Sequence, residues 1–358
     1  MEDILRRLVA FPTVTGNHQA AHDLIDYVDE FVASRGMYVK RFTSNGYESL
    51  VATVKPDQTT SKVMLYAHGD VVPAQDNMFE LRVQEDKYLG RGVLDMKFAL
   101  ASYLHIIDEL AGKLNDYDLC LVVTSDEEYG GENGMAAVID KGYIPEVCIM
   151  PDGGDNWQVQ TASKGSCIYE ITATGKTAHG SRPWLGTNAI TKLITVLDEI
   201  ALLFPRIPNS DTNTITLSKM NGGQATNQVP AEASMTVDIR TINAAEYQRI
   251  GTKIQEICRN HHLGCNLRLN IVPTQFDLED PLIKPFVQLI TQHTGVDVIG
   301  LRTNGSSDAR WYVPFGVPCV SVYPKGGDLH ADEEWIDKQA LTQFRNICRD
   351  YLEQIARL

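Results

Sequence analysis

Imidazole and carboxylate side chains stand at or near the ends of several apolar segments of this sequence. The buried-looking run "KVMLYA" is followed by an imidazole and, one glycine later, by a carboxylate. Because ligands bind outside the carboxyl ends of the strands in an open α/β sheet, we expect five such segments to converge on one edge of one sheet. The residues concerned are His68 and Asp70, Asp95, Asp126 to Glu128, Asp152, and Asp328 with His330.

Any one of these residues alone would be unremarkable. A single His or Asp at a strand end is more often a cap or a solvated turn residue, and "SDEE" (125–128) on its own would be an exposed acidic loop. Together, however, the carboxylates would repel one another and raise each other's pKa unless a cation offset them. Few basic residues lie nearby in the sequence, so a divalent metal is the natural cation, and nitrogen with carboxylate ligands suits zinc.

The charge count favours two ions over one. Asp95, Glu128 and Asp152 would supply three negative charges as ligands. Two divalent ions and one bridging hydroxide would bring this centre to neutrality. Residues two apart in an extended segment project to the same side, so Asp70 can accept the second N–H of His68 and fix its orientation.

Composition narrows the class of protein. The chain has 358 residues, 43% of them hydrophobic and 22% charged, which is enough for more than one domain with a core. A net charge of −14 disfavours nucleic acid, and no apolar run approaches the length of a membrane span. The seven scattered cysteines and a start unlike a signal peptide predict a cytoplasmic protein with reduced thiols.

Apolar strands alternate with helical patterns and predict an α/β fold with a mostly parallel sheet covered by helices on both faces. Near residue 164 the order becomes β-α-β-β-α-β, which is the ferredoxin-like α+β pattern. We therefore predict a catalytic metal-binding domain at 1–164 and 275–358, interrupted by a smaller domain at 165–274.

Several motifs resemble the co-catalytic zinc hydrolases, the family of aminoacylase, carboxypeptidase G, carnosinase and succinyl-diaminopimelate desuccinylase. The motifs are "HGDVVP", "GRGVLDMKFALA", "TSDEEYGGENG", "GKTAHGSRPWLGTNAI" and "HADEEWI", and they run in family order from about residue 66 to 336. The resemblance implies a zinc aminopeptidase/carboxypeptidase-like catalytic domain and a lid that forms a homodimer interface. It also implies two Zn²⁺ ions, with Co²⁺ or Mn²⁺ as alternatives.

The resemblance assigns a role to each candidate residue of the metal site. His68 and Asp152 resemble the terminal ligands of one ion, and Glu128 and His330 those of the other. Asp95 resembles the bridging ligand and is expected to precede a cis peptide. Glu127 resembles the general base, which takes a proton from the metal-bridging water and passes it to the leaving amine.

The resemblance also includes residues of the inserted domain. His179 is similar to the histidine that stabilises the oxyanion in the partner's active site. Asn227 is similar to an amide that contacts substrate, and Arg240 to a carboxylate anchor. A strand-end salt bridge is an equal alternative for Arg240. The segment 304–311, "NGSSDARW", resembles the loop that lines the substrate pocket, without an assignable residue.

Two features point to different substrates. Asp152 stands where many deacylases of the family have Glu, which favours the peptidase branches, whereas the compact lid resembles the dimeric deacylases and carboxypeptidases. The sequence thus predicts a zinc-dependent metallopeptidase acting on a short peptide or modified amino acid. The alternative is an N-acyl amino-acid deacylase of the desuccinylase or deacetylase type. An inactive binding homologue is a third reading, which the presence of Glu127 argues against.

Overall fold

The structure, a computed structural model, describes residues 1–305 and 307–358, and the chain divides into two compact units. The larger unit contains Met1–Thr161, Phe276–Thr303 and Ser307–Leu358. The smaller unit contains Ala162–Gln275 with residues 304–305. That the smaller unit serves as a lid or as a dimer interface stays a prediction.

The helices and strands alternate through much of the larger unit. Along the described chain the helices are α1 (Glu2–Val9), α2 (His18–Ala33), α3 (Lys97–Glu109), α4 (Met135–Asp140), α5 (Ala189–Ala201), α6 (Ala244–Asn260), α7 (Lys284–Thr294) and α8 (Lys338–Tyr351). The strands are β1 (Tyr38–Ser44), β2 (Tyr47–Thr53), β3 (Val63–His68), β4 (Arg82–Gln84), β5 (Lys87–Leu89), β6 (Leu119–Thr124), β7 (Val147–Ile149), β8 (Val159–Ser163), β9 (Gly165–Thr174), β10 (Thr214–Gly222), β11 (Glu232–Thr241), β12 (Gly264–Ile271), β13 (Thr274–Gln275), β14 (Gly300–Thr303), β15 (Cys319–Val320), β16 (Gly326–Gly327) and β17 (Trp335–Asp337).

The main sheet of the larger unit has the order β1-β2-β6-β3-β7-β15. β3 pairs in parallel with β6 and β7, and β7 pairs in parallel with β15, whereas β1 and β2 add an antiparallel edge. Every residue of β3 and β6 is buried, as continuous apolar runs in a sheet covered on both faces should be. The predicted α/β fold class is confirmed, and the sheet as a whole is mixed.

Parallel pairing brings the carboxyl ends of β3, β6 and β7 to one edge of this sheet. β3 ends at His68, and the acidic stretch follows Thr124 at the end of β6. α3 begins directly after Asp95 and Met96, and its residues from Lys97 to Leu104 are all buried. Packing of α3 inside the larger unit therefore fixes the position of the preceding aspartate.

The smaller unit is a four-stranded antiparallel sheet of order β10-β11-β9-β12, with α5 and α6 packed against it. Its strands and helices follow the predicted β-α-β-β-α-β order. The inward residues of β11 alternate strictly with its outward residues, which is typical of a sheet with one covered face. Residues such as Ile171, Leu193, Val237 and Ile254 give the smaller unit its own core. Among the described helices, none is both long enough and apolar enough to cross a membrane.

Candidate metal centre

The larger unit contains two groups of side chains that could hold a metal ion. The first group is His68, Glu127 and Asp152, and the second is Asp95, Glu128 and His330. Within each group the candidate ligand atoms all lie within 4.8 Å of one another. The structure thus brings together the five residues proposed as ligands from the sequence and, beside them, the residue proposed as the base.

Asp95 connects the two groups through its two carboxylate oxygens. Its Oδ1 lies 3.1 Å from His68 Nε2, and its Oδ2 lies 2.9 Å from His330 Nε2. The same His330 nitrogen lies 3.3 Å from Glu128 Oε1. A carboxylate that faces an imidazole of each group is suited to bridge two ions, which is the role proposed for Asp95. The Asp95–Met96 peptide is cis, as the family resemblance implies.

The contacts of His68 define which ring nitrogen carries the proton in the neutral side chain. Its Nδ1 lies 3.0 Å from the backbone carbonyl oxygen of Asp70, which can only accept. In the neutral side chain Nδ1 therefore carries the hydrogen, and the Nε2 lone pair is left for an ion. Only the protonated imidazolium, with a second hydrogen on Nε2, can donate to Asp95 Oδ1. A ligating histidine commonly has this arrangement, with the other ring N–H held by a carbonyl or carboxylate.

The structure modifies the role expected for the Asp70 carboxylate. Its Oδ1 lies 3.5 Å from His68 Nδ1, farther than the Asp70 carbonyl oxygen. The carboxylate instead accepts hydrogen bonds from the backbone N–H groups of Glu127 and Glu128, at 3.2 and 3.1 Å, and from the Thr15 hydroxyl at 3.0 Å. The side chain of Asp70 thus fixes the turn that contains both glutamates. Its backbone carbonyl, in turn, orients the His68 ring.

A buried ion pair joins the two segments that carry Asp95 and His330. Glu334 accepts from the backbone N–H groups of Gly92, Leu94 and Asp95 at 3.0, 2.8 and 3.1 Å, and from Arg91 Nη1 at 2.7 Å. In return, Arg91 Nη2 donates to the carbonyl oxygens of His330 and Ala331. A side chain of each segment therefore hydrogen-bonds to the backbone of the other segment. The sequence analysis does not predict this arrangement.

A further buried carboxylate, Asp308, lies near the first group and was also missed. It has no exposed surface, and it accepts from the Tyr66 hydroxyl at 2.6 Å and from Trp311 Nε1 at 3.1 Å. Asp308 belongs to the segment 304–311, which the sequence predicts to line the substrate pocket; residue 306 of this segment lies outside the described residues. In addition to burial, the charge of Asp308 raises the pKa of Glu127, and Arg310 of the same segment lies 3.8 Å from the Asp308 carboxylate.

The electrostatics of the centre show a deficit of positive charge. Burial first, and then the charges of Asp152 and Asp308, raise the pKa of Glu127 well above its usual value. Burial and the neighbouring Asp95 raise the pKa of Asp152 to about 7. Burial would also raise the pKa of Asp95, but hydrogen bonds from His330 and His68 hold it below its usual range. Protein groups alone compensate only one of these three carboxylates.

Divalent ions fit this donor set. Asp152 Oδ2 is buried and has no hydrogen-bond partner in the described part of the chain, although its fellow oxygen has one. A buried carboxylate oxygen left without a partner is costly unless an ion or a donor completes it. Imidazole and carboxylate donors suit Zn²⁺ and similar divalent cations.

The residues predicted in the inserted domain lie in the smaller unit and are exposed or half-buried. His179 and Asn227 line one cleft of about 470 Å³. His179 Nδ1 accepts from the backbone N–H of Ser181 at 3.1 Å, which leaves its Nε2–H as the outward donor. Arg240 makes a two-point ion pair with Asp238 on the same strand, at 2.8 and 2.9 Å. The strand-end salt bridge considered for Arg240 is therefore present.

The fold and the paired ligand groups define a class of α/β metallohydrolase, and comparison with known proteins gives the family. The model of peptidase family M20/M25/M40 matches residues 64–354, and the chain belongs to that family. The chain is accordingly a hydrolase of peptide or amide C–N bonds, as the sequence predicts.

Individual relatives are distant in sequence but span nearly the whole chain. A succinyl-diaminopimelate desuccinylase of Burkholderia ambifaria is 25% identical over 378 residues, with 98% of each chain covered. A tripeptidase of Staphylococcus aureus has a TM-score of 0.74 at 18% identity, over 99% of this chain and 97% of the other. A dinuclear metal-binding M20 peptidase of Bacillus subtilis has a TM-score of 0.70 at 14% identity, over 99% and 98% of the two chains.

Proposed function

We propose that this protein is a zinc-dependent metallopeptidase that hydrolyses an amide bond in a short peptide or a modified amino acid. The observation that carries the proposal is the pair of ligand groups joined by Asp95, with Glu127 beside them. The structural likeness to a tripeptidase and the aspartate at position 152 support a peptide substrate. Co²⁺ and Mn²⁺ are alternatives to Zn²⁺ at a site of this chemistry.

Specific residues would hold the ions and manage the proton. His68 and Asp152 would hold one ion, Glu128 and His330 the other, and Asp95 would bridge them. When bound, the two ions polarise the scissile carbonyl and lower the pKa of the attacking water. Glu127 takes the proton from this water and carries it to the leaving amine. Its position in the first group, where its carboxylate lies within 4.8 Å of the candidate ligand atoms of His68 and Asp152, supports this role.

Two adjacent glutamates provide the first test. Glu127→Gln should keep both ions and lose turnover by about a hundredfold or more, as expected for loss of a general base. Glu128→Gln should lose occupancy at the ion it shares with His330. Metal content per chain, measured after desalting, and steady-state rates separate the two variants. Equal loss of metal in both would show that Glu127 is a ligand, which its place in the first group also permits.

His179 would act in a homodimer formed through the smaller unit. Its outward Nε2–H can donate to the oxyanion of the partner's site, while Asn227 and Arg240 contact the substrate. Mixing an inactive His179→Ala dimer with an inactive Glu127→Gln dimer should restore activity, since a mixed dimer contains one complete site. If subunits exchange and activity stays at the homodimer level, His179 does not act across the dimer.

N-acyl amino-acid deacylation is the second candidate, and the desuccinylase relative favours it. A screen of the zinc-loaded protein against dipeptides, tripeptides and N-acetyl, N-succinyl and N-formyl amino acids distinguishes the two. Turnover of peptides alone supports the first proposal, and turnover of acylated amino acids alone supports the second. A protein that binds two ions and cleaves nothing would be an inactive homologue.

A further inference from the structure

Tyr323 places one hydroxyl group between two carboxylates of the candidate metal centre. Its Oη lies 2.9 Å from Asp152 Oδ1 and 3.2 Å from Asp95 Oδ1. The side chain is 8% exposed and belongs to the same unit as both aspartates. Ionised carboxylates can only accept, so the tyrosine must be the donor, and its single proton is shared between two acceptors.

This contact distinguishes the two oxygens of Asp152. Oδ1 accepts the tyrosine hydroxyl, whereas Oδ2 is buried and has no hydrogen-bond partner in the described residues. An aspartate can rotate about its side-chain bonds and present either oxygen, or both, to an ion. The hydrogen bond to Oδ1 removes this freedom and leaves Oδ2 as the oxygen available for coordination.

The segment that carries Tyr323 also holds the backbone of Asp152. The Ser321 hydroxyl lies 2.9 Å from the carbonyl oxygen of Met150 and 3.2 Å from that of Asp152. β15 ends at Val320, so Ser321 and Tyr323 follow the strand at the edge where the ligands gather. One short segment therefore fixes Asp152 twice, by its main chain through Ser321 and by its carboxylate through Tyr323.

We propose that Tyr323 is a positioning residue that orients Asp152 for one-oxygen coordination and separates its charge from that of Asp95. The proposal rests on the dinuclear metal centre proposed above. Because the carboxylates of Asp95 and Asp152 repel each other, a hydroxyl proton between them lowers the cost of holding both in place before an ion binds. Outer hydrogen-bond partners of this kind change metal affinity by about ten- to a hundredfold.

Tyr323→Phe tests the proposal, since it removes the hydroxyl and keeps the ring. We expect the dissociation constant for Zn²⁺ at the site of His68 and Asp152 to rise about ten- to a hundredfold. Affinity is measured by competition with a chromophoric chelator, and Co²⁺ absorption reports the coordination of each ion. Tyr103→Phe is the matched control, because Tyr103 is also buried but donates to the backbone carbonyl of Ile149, at 3.2 Å.

Other outcomes would overturn the proposal. If the dissociation constants of Tyr323→Phe stay within twofold of those of Tyr103→Phe, the hydroxyl does not position a ligand. Ser321→Ala, which loosens the Asp152 backbone and keeps the tyrosine hydroxyl, should weaken Zn²⁺ binding less than Tyr323→Phe does, and an equal or larger loss would assign the positioning to the backbone contact. Circular dichroism of each metal-free variant checks that it is folded. Failure of the unaltered protein to bind two ions would instead contradict the metal centre itself, so the two failures are distinguishable.

Discussion

Candidate residues of the larger and smaller units differ in how exposed they are and in how many contacts fix them. His68 has no exposed surface and contacts fixed groups at both ring nitrogens, whereas His179 is exposed and one of its ring nitrogens faces outward. Arg91 is 2% exposed and pairs with a fully buried glutamate, whereas the side chain of Arg240 is 37% exposed and pairs with a neighbour on its own strand. His68 and Arg91 are thus buried and fixed, although the side chain of His330 in the same unit is 45% exposed, whereas His179 and Arg240 are accessible.

This difference follows from what each set of residues must do. Ligands that hold ions against their own mutual repulsion need fixed positions, and burial strengthens every charge interaction among them. Groups that meet a substrate must stay accessible, and their ion pairs in water contribute little to stability. Substitutions of the proposed ligands and of the Arg91–Glu334 pair should therefore change stability or metal content, whereas those of His179 and Arg240 should change turnover or KM.

The largest effect is expected for Arg91→Met, which leaves Glu334 buried without its cation. Breaking a buried pair from one side costs about 3–5 kcal/mol of unfolding free energy. Urea denaturation of the metal-free protein measures it. Lys40→Met is the control, because the side chains of the Lys40–Asp57 pair are 47% and 89% exposed and such a pair contributes little to stability. Equal losses in the two variants would remove the distinction between buried and exposed pairs.

Next in size is His179→Ala, which removes a candidate oxyanion donor. The rate of hydrolysis should fall about a hundredfold or more. Metal content and urea midpoint should stay unchanged, because the side chain is exposed. Ser181→Ala serves as the milder companion, since the backbone N–H of Ser181 still fixes the ring. A His179→Ala protein that loses metal or melts early would contradict the contrast between the units.

Removal of metal should destabilise the larger unit by a comparable amount. An ion present at a hundred times its dissociation constant stabilises the folded state by about 2.7 kcal/mol, and the chelated protein should lose this increment. This loss is measured by thermal melting in the presence of chelator and again after Zn²⁺ or Co²⁺ is restored. An unchanged melting curve together with full activity in chelator would refute the metal centre.

The smallest effects on stability are expected at the Arg240–Asp238 pair. Asp238→Asn and Arg240→Gln should each cost at most about 1 kcal/mol, because the pair is half-exposed. If Arg240 anchors a substrate carboxylate, Arg240→Gln should raise KM while Asp238→Asn, which frees the guanidinium, should not. A similar KM in both variants and in the unaltered protein would assign the arginine to the strand-end salt bridge alone.

What could be predicted from the sequence depended on local patterns. The apolar run before His68 indicated a buried strand, and the β-α-β-β-α-β order of the insertion is the order of the smaller unit. The convergence of ligands at one sheet edge followed from strand direction. Family motifs added the cis peptide after Asp95 and the segment of His179 and Asn227.

The missed residues act through contacts that no local pattern records. Arg91 and Glu334 are 243 residues apart, and Tyr66 and Asp308 are 242 apart. Asp70 was expected to orient His68 by its carboxylate, but a backbone carbonyl at closer range takes that place. Tyr323 stood in an apolar run that read as a strand to its end, whereas the strand stops at Val320 and leaves the hydroxyl free to reach two aspartates.

The hydrogen bonds of Arg91 and Glu334 also determine when, during synthesis, the segments of Asp95 and His330 can be joined. During synthesis Arg91 is made 243 residues before Glu334, so its guanidinium cannot be buried with its partner until Glu334 has emerged from the ribosome. The hydrogen bonds that hold the backbone of Asp95 and of His330 can likewise form only then. A nascent chain that stops before residue 330 contains His68, Asp95, Glu128 and Asp152 but lacks His330, a proposed ligand of the second ion. The ligand set proposed for the second ion is therefore complete only after residue 330 has emerged from the ribosome.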